Sequence, residues 1–178
     1  KEVYDLARSV EQEKLEQVVR DGGAFSANPE FVGRLRTQIL KAIDIEMTTQ
    51  EPYMESVDLM RIGYKQVDAD PDGIDLGGPM IEAGIVAGQI DRAQLADMSS
   101  SAFAIGLEQM RETYGSVPAL IWITTPGNAR ADQIAAGRQY VRANLRATKL
   151  GLSMHPMSQS LQEYAEVARP YREVHAML

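Results

Sequence analysis

The sequence predicts a helix-rich fold built around one buried strand. Three observations carry this. Apolar residues recur at helical spacing through most of the 178 residues. Capping and stopping residues sit at the ends of those stretches. A single segment, Val117 to Thr124 (VPALIWIT), is short, β-branched and apolar on both faces.

The first stretch, Lys1 to about Arg20, has Val3, Leu6, Ala7 and Val10 at helical spacing. Leu15, Val18 and Val19 continue it with a small phase shift, and Gly22-Gly23 stops it. It starts without a visible cap, so a preceding segment is expected. The second has a clean start. Asn28 accepts from the exposed amides of a helix N-terminus and Pro29 suits the first helical position. Phe31, Leu35, Ile39, Ile43 and Met47 follow at intervals of four, so residues 29–48 are predicted helical. Residues 50–64 read as a shorter helical stretch. Asp70-Pro71-Asp72-Gly73 reads as a turn, and 79–89 as a small helix that tolerates glycine.

Asp91, with Gln94 three residues on and Ile90 able to staple onto Leu95, is expected to start a long helix to Tyr114. The strand follows, bounded by Pro118 and Pro126-Gly127. Because it is apolar on both faces it should be central and covered on both sides. Its backbone needs partners, which are either cryptic, supplied by another chain, or outside the sequence. Asn128 is expected to cap a helix running to Leu150 and ending at Gly151. Ser160 with Glu163 suggests a last helix, interrupted at Pro170.

Composition narrows the function. Hydrophobic residues make up 44% and charged residues 24%, an ordinary globular mixture. Eighteen basic against 25 acidic residues leave a net charge of −7, which argues against general nucleic-acid binding. No apolar run approaches the roughly 20 residues that cross a bilayer. No disulfide, iron–sulfur cluster, zinc-thiolate site or thiol catalysis is available, because the chain has no cysteine. The compartment stays open: cytoplasmic, or exported if a segment upstream carries a signal.

Several side-chain patterns invite a chemical reading. Asp68, Asp70, Asp72 and Gly73 match the first half of a calcium loop, but its twelfth position, where a bidentate Glu belongs, is Pro79. The expected reading is an acidic exposed turn. Arg138, Arg142 and Arg146 recur every four residues, with Arg130 before and Lys149 after. That stripe suits an anion site, a patch for an acidic partner, or a solvated helix face. The small residues Ala131, Ala135, Ala143 and Ala147 permit close packing within the core, or against a symmetry mate. His155 lies in the loop Ser153-Met154-His155-Pro156-Met157-Ser158-Gln159, which could line a pocket. Ser158 has no spaced His and Asp to make it a nucleophile, and neither a G-x-G-x-x-G nor a Walker sequence is present.

Three segments carry a resemblance. The first is Pro118-Ala119-Leu120-Ile121-Trp122-Ile123, then Gly137-Arg138-Gln139, then Leu145-Arg146-Ala147-Thr148-Lys149-Leu150-Gly151-Leu152. The second is Pro156-Met157-Ser158-Gln159. The third is Arg61-Ile62-Gly63 with Pro71-Asp72-Gly73-Ile74. Together, over about residues 50–160, they resemble the nitroreductase family of FMN flavoproteins, in particular a divergent group whose members often carry twin-arginine export signals. The resemblance implies an α+β fold, an intertwined homodimer and FMN at the dimer interface. It places Pro156 and Met157 against the flavin ring, and the backbone amides of Ser158 and Gln159 at its N5 and O4 edge, where fixed dipoles stabilise the charge of the reduced flavin. No catalytic side chain and no metal are implied.

The family's Arg-rich phosphate-binding stretch, the flavin-binding motif after it and the basic C-terminal segment have no counterpart here. Residues 1–178 are therefore expected to be an incomplete domain, an internal or C-terminal fragment. The function expected is an FMN-dependent NAD(P)H oxidoreductase acting on nitroaromatic or quinone-like small-molecule acceptors when intact. The alternatives are a flavin-free binding or sequestration module on the same scaffold, and a helical interaction domain of unrelated fold.

Overall fold

A computed structural model describes residues 12–20 and 23–178, and the first half of the predicted Lys1–Arg20 helix lies outside them. The elements are α1 (12–18), β1 (Ala24–Ser26), α2 (Pro29–Thr48), α3 (Gln50–Leu59), β2 (Met60–Ile62) and α4 (Tyr64–Ala69). After these come β3 (Ile74–Leu76), α5 (Pro79–Val86), α6 (Arg92–Ala96), α7 (Ser101–Gly115), β4 (Leu120–Trp122) and α8 (Arg130–Lys149). Two 3₁₀ turns, Gln159–Leu161 and Ala165–Val167, lead into α9 (Ala168–Met177). The chain is a helix-rich α+β protein whose described strands are three residues each. Its described residues pack as two compact units, one from those up to 35 together with 117–157, the other from 36–116 and 158–178.

In the first unit, β1 and β4 pair antiparallel, Ala24 opposite Trp122, Phe25 opposite Ile121 and Ser26 opposite Leu120. β1 is the cryptic neighbour the strand required. The expectation of a central strand over 117–124, covered on both faces, is corrected. Only Leu120–Trp122 is strand, each residue is half-buried, and among the described residues β4 has β1 alone beside it. Pro118 cannot donate to a ladder, and Pro126-Gly127 turns the chain soon after Trp122. Trp122 instead lies against Phe31, ring centroids 5.9 Å apart. The small core of this unit joins Val18 to Ala143 and Ala147, with Val19, Ile121, Leu150, Leu152 and Met154 around it.

α2 starts where the sequence places it. The Asn28 side chain accepts from the Phe31 amide at 3.0 Å, and Pro29 is the first helical residue. α8 ends as expected too. Gly151 takes φ +74, the Leu152 amide donates to the Ala147 carbonyl at 2.8 Å, and the Gly151 amide to Thr148 at 3.1 Å. This pair of bonds is a Schellman closure. The start of α8 differs from expectation. Ala129 holds the capping position, Asp132 accepts from the Ala129 amide at 3.0 Å, and Asn128 is taken by the Gln133 side chain at 3.1 Å.

The second unit is organised around Tyr53, 2% exposed. Its hydroxyl donates to the Leu95 carbonyl, and its ring meets Phe103 edge-on at 5.1 Å. Arg92 donates to the carbonyls of Val57 and Met60. A cation thereby closes the carboxyl end of α3, where the helix dipole favours positive charge. The predicted helix over 50–64 stops at Leu59, because Met60–Ile62 turns extended and pairs parallel with Ile74–Leu76. The turn between them needs Gly73. Its φ is +75, and a Cβ there would lie 2.3 Å from the Leu59 carbonyl oxygen.

The predicted 91–114 helix is two helices. Asp91 caps α6, accepting from the Gln94 amide at 2.8 Å, but Ser100 caps α7 anew, accepting from Phe103 at 3.0 Å. Between them, Asp97 accepts from both the amide and the hydroxyl of Ser99. Three short polar side chains in four residues outcompete the helical backbone. The expected Ser160–Glu163 cap is absent as well. Ser160 is 2% exposed inside a 3₁₀ turn. Pro170 does not interrupt α9, because it occupies the first turn, whose amides have no intrahelical acceptor.

Candidate functional site

The loop singled out by the sequence begins where α8 closes. Residues 152–158 form neither helix nor strand. In the first unit Pro156 is exposed and Met157 half-buried; in the second Ser158 is exposed and Gln159 is 8% exposed. His155 is exposed. The loop therefore presents Pro156 and Ser158 at the surface, while the side chain of Gln159 turns inward.

What Gln159 turns toward is a polar cluster inside the second unit. Glu46 comes from the last turn of α2, Tyr114 from the end of α7, and Tyr164 from just before the second 3₁₀ turn. Gln159 hydrogen-bonds both Glu46 and Tyr114. Burial raises the Glu46 pKa above the ordinary carboxylate range, and the Gln159 hydrogen bond offsets part of this. Burial also raises Tyr114; Gln159 lowers it somewhat and the charge of Glu46 raises it further. Tyr164 is raised by burial, then by Glu46 and Glu166. Glu46 Oε2, Gln159 Oε1 and the Tyr164 hydroxyl are buried without a hydrogen-bond partner among the described residues. The cluster can hold a proton on Glu46 at a pH where a free carboxyl has lost it.

The basic stripe divides. Arg146 and Lys149 line a cleft of about 160 Å³ in the first unit with Gln17, Arg20 and Leu150. Both α1 and α8 end there, so the cations face partly negative helix ends and complement them. Arg138 and Arg142 are exposed. The alanines divide too: Ala143 and Ala147 are core, Ala131 and Ala135 exposed.

The half calcium loop has a different partner. Arg61, its side chain 19% exposed, meets Asp72 at 2.5 Å and Asp70 at 3.4 Å. Among the described residues no three His, Asp or Glu side chains converge as a metal site, and no helix is long and apolar enough to cross a membrane.

Sequence reasoning missed Glu46, Tyr114 and Tyr164. The signal for Glu46 was present, since it lies seven residues after Ile39 and three after Ile43, on the buried stripe of α2. A carboxylate there demands a buried polar partner. Nothing local marked the tyrosines. Comparison with family models, with curated proteins and with solved structures returned no match.

Proposed function

We propose that this chain contributes the flavin-facing loop of an FMN-dependent NAD(P)H oxidoreductase of nitroreductase type, in an intertwined α+β homodimer acting on nitroaromatic or quinone-like acceptors. The observation that carries the reading is the loop itself. The Schellman closure at Gly151 ends α8 sharply, and residues 152–158 then run irregularly with Pro156 and Ser158 exposed. Pro156 and Met157 offer low-polarity surface to a planar ring. Gln159 fits a backbone role, because its amide side chain is engaged with Glu46 and Tyr114. Bound FMN supplies hydride transfer at its N5, and the residues of this chain position it.

A second reading, a flavin-free binding module on the same scaffold, is favoured by the cations. Arg20 and Arg146 gather at helix carboxyl ends, which weakens them as phosphate anchors. The visible absorption spectrum of the purified full-length protein, before and after reconstitution with FMN, separates the two. A flavin spectrum supports the oxidoreductase. A colourless protein that takes up no FMN overturns it in favour of the module.

A further inference from the structure

α8 is apolar on two opposite faces. Ala143 and Ala147, 4% and 1% exposed, pack inward. On the outer face Ile134, Val141 and Leu145 are 45%, 54% and 67% exposed. A helix with a second apolar stripe opposite its core face is expected to bury that stripe against something else. The spacing says what kind of thing. Ala131, Ile134, Arg138, Val141, Leu145 and Thr148 alternate by three and four, the a and d positions of a coiled-coil seam, and all six are exposed. The flanking e and g positions carry Arg130, Arg142 and Lys149 and no acidic residue.

We propose that this face of α8 docks an acidic amphipathic helix of a partner protein, its apolar residues on Val141 and Leu145 and its carboxylates on Arg138, Arg142 and Lys149. Charge complementarity selects this occupant. The helix carries Arg130, Arg138, Arg142, Arg146 and Lys149 against Asp132 alone, within a chain of net charge −7. A second copy of α8 is a poor match. In parallel register Arg138 meets its own equivalent inside the seam, and in antiparallel register the Arg142 and Lys149 flanks face each other. A nucleic acid has no use for the central apolar row. An anionic membrane would be repelled by the acidic remainder of the chain, and the seam has no Trp or Tyr to sit at a lipid interface. The proposal is independent of the flavin reading.

The test uses the full chain and two labelled three-heptad helical peptides with Leu at a and d except at the one seam position that faces Arg138. One has Glu at e and g and a Glu placed to face Arg138; the other has Lys at those positions. Fluorescence anisotropy should show saturable binding of the acidic peptide. Binding should weaken about tenfold or more for the basic peptide and for Val141→Asp. The double variant Arg142→Glu, Lys149→Glu should prefer the basic peptide. All three substituted residues are exposed, and circular dichroism confirms that the variants fold. No binding of the acidic peptide, or equal binding of both peptides, overturns the proposal. So does association with phosphatidylserine vesicles that Val141→Asp abolishes while the peptide fails to bind. Self-association of the chain that Val141→Asp abolishes likewise assigns the face to a second copy instead.

Discussion

Around Tyr53 the interior is made of large side chains that also form hydrogen bonds distant in sequence: the Tyr53 hydroxyl to Leu95, Arg92 to Val57 and Met60. Around Ala143 and Ala147 it is made of alanines and one valine, with larger apolar residues only partly covered. The first kind of interior fixes its elements by directional bonds and by volume. The second allows close approach but has little to specify register beyond shape. The difference teaches where each unit is vulnerable: the second to loss of a side chain, the first to gain of one.

The sharpest way to break that contrast is at Tyr53. Tyr53→Ala should destabilise by about 3–5 kcal/mol, as large-to-small changes at buried aromatic sites do. Tyr53→Phe keeps the contact with Phe103 and leaves the Leu95 carbonyl without its donor, at about 1–2 kcal/mol. Urea denaturation of both variants checks this. Equal losses would mean that the hydrogen bond, rather than the ring, carries the site. In the alanine core the opposite change is informative. Ala147→Leu should cost about 1–3 kcal/mol through overpacking. Hydrogen exchange should speed first in α8; if it speeds first in α7, the division into two interiors is wrong.

A smaller effect is expected at the break between α6 and α7. Ser100→Ala removes the acceptor for Phe103 and should cost about 1 kcal/mol, seen as a lower melting temperature. The smallest is expected at Glu46 and depends on pH. Because its folded pKa lies above the ordinary carboxylate value, the folded state holds this proton more tightly than the unfolded chain. The contribution is fully present at acid pH and is lost as pH rises from the ordinary range through the raised folded value. Glu46→Gln should therefore match the wild type at low pH and melt higher than it above neutrality. A constant difference across pH would show that folding leaves the Glu46 pKa unshifted.

Legibility in the sequence followed locality. Asn28-Pro29 starts α2 and Gly151 ends α8 as read, because caps are decided by a few neighbouring residues. Asp91 caps a helix, but the restart at Ser100 was hidden under apolar periodicity that runs straight through Asp97, Ser99 and Ser100. β1, β2 and β3 were illegible, since three residues show no alternation and only a distant partner makes them strands. The loop over 153–159 was read for its backbone, whereas the side chain of Gln159 joins Glu46 and Tyr114, from two distant helices that no spacing connects. The strand at Leu120–Trp122 was located correctly and its surroundings were not. Apolarity on both faces reports what a strand avoids, not how many neighbours it has.

The turn that ends at Gly73 has one more consequence. Asp70 and Asp72 look like an invitation to a dissolved cation, yet Arg61 is already seated between them, delivered by the same polypeptide eleven residues before Asp72. A counterion that is part of the chain cannot be diluted, chelated or exchanged. Its effective concentration is set by the length of the intervening segment and not by the surrounding fluid. The pairing of β2 with β3 is thereby insulated from swings in divalent ions to which a metal-closed turn of the same sequence type would respond.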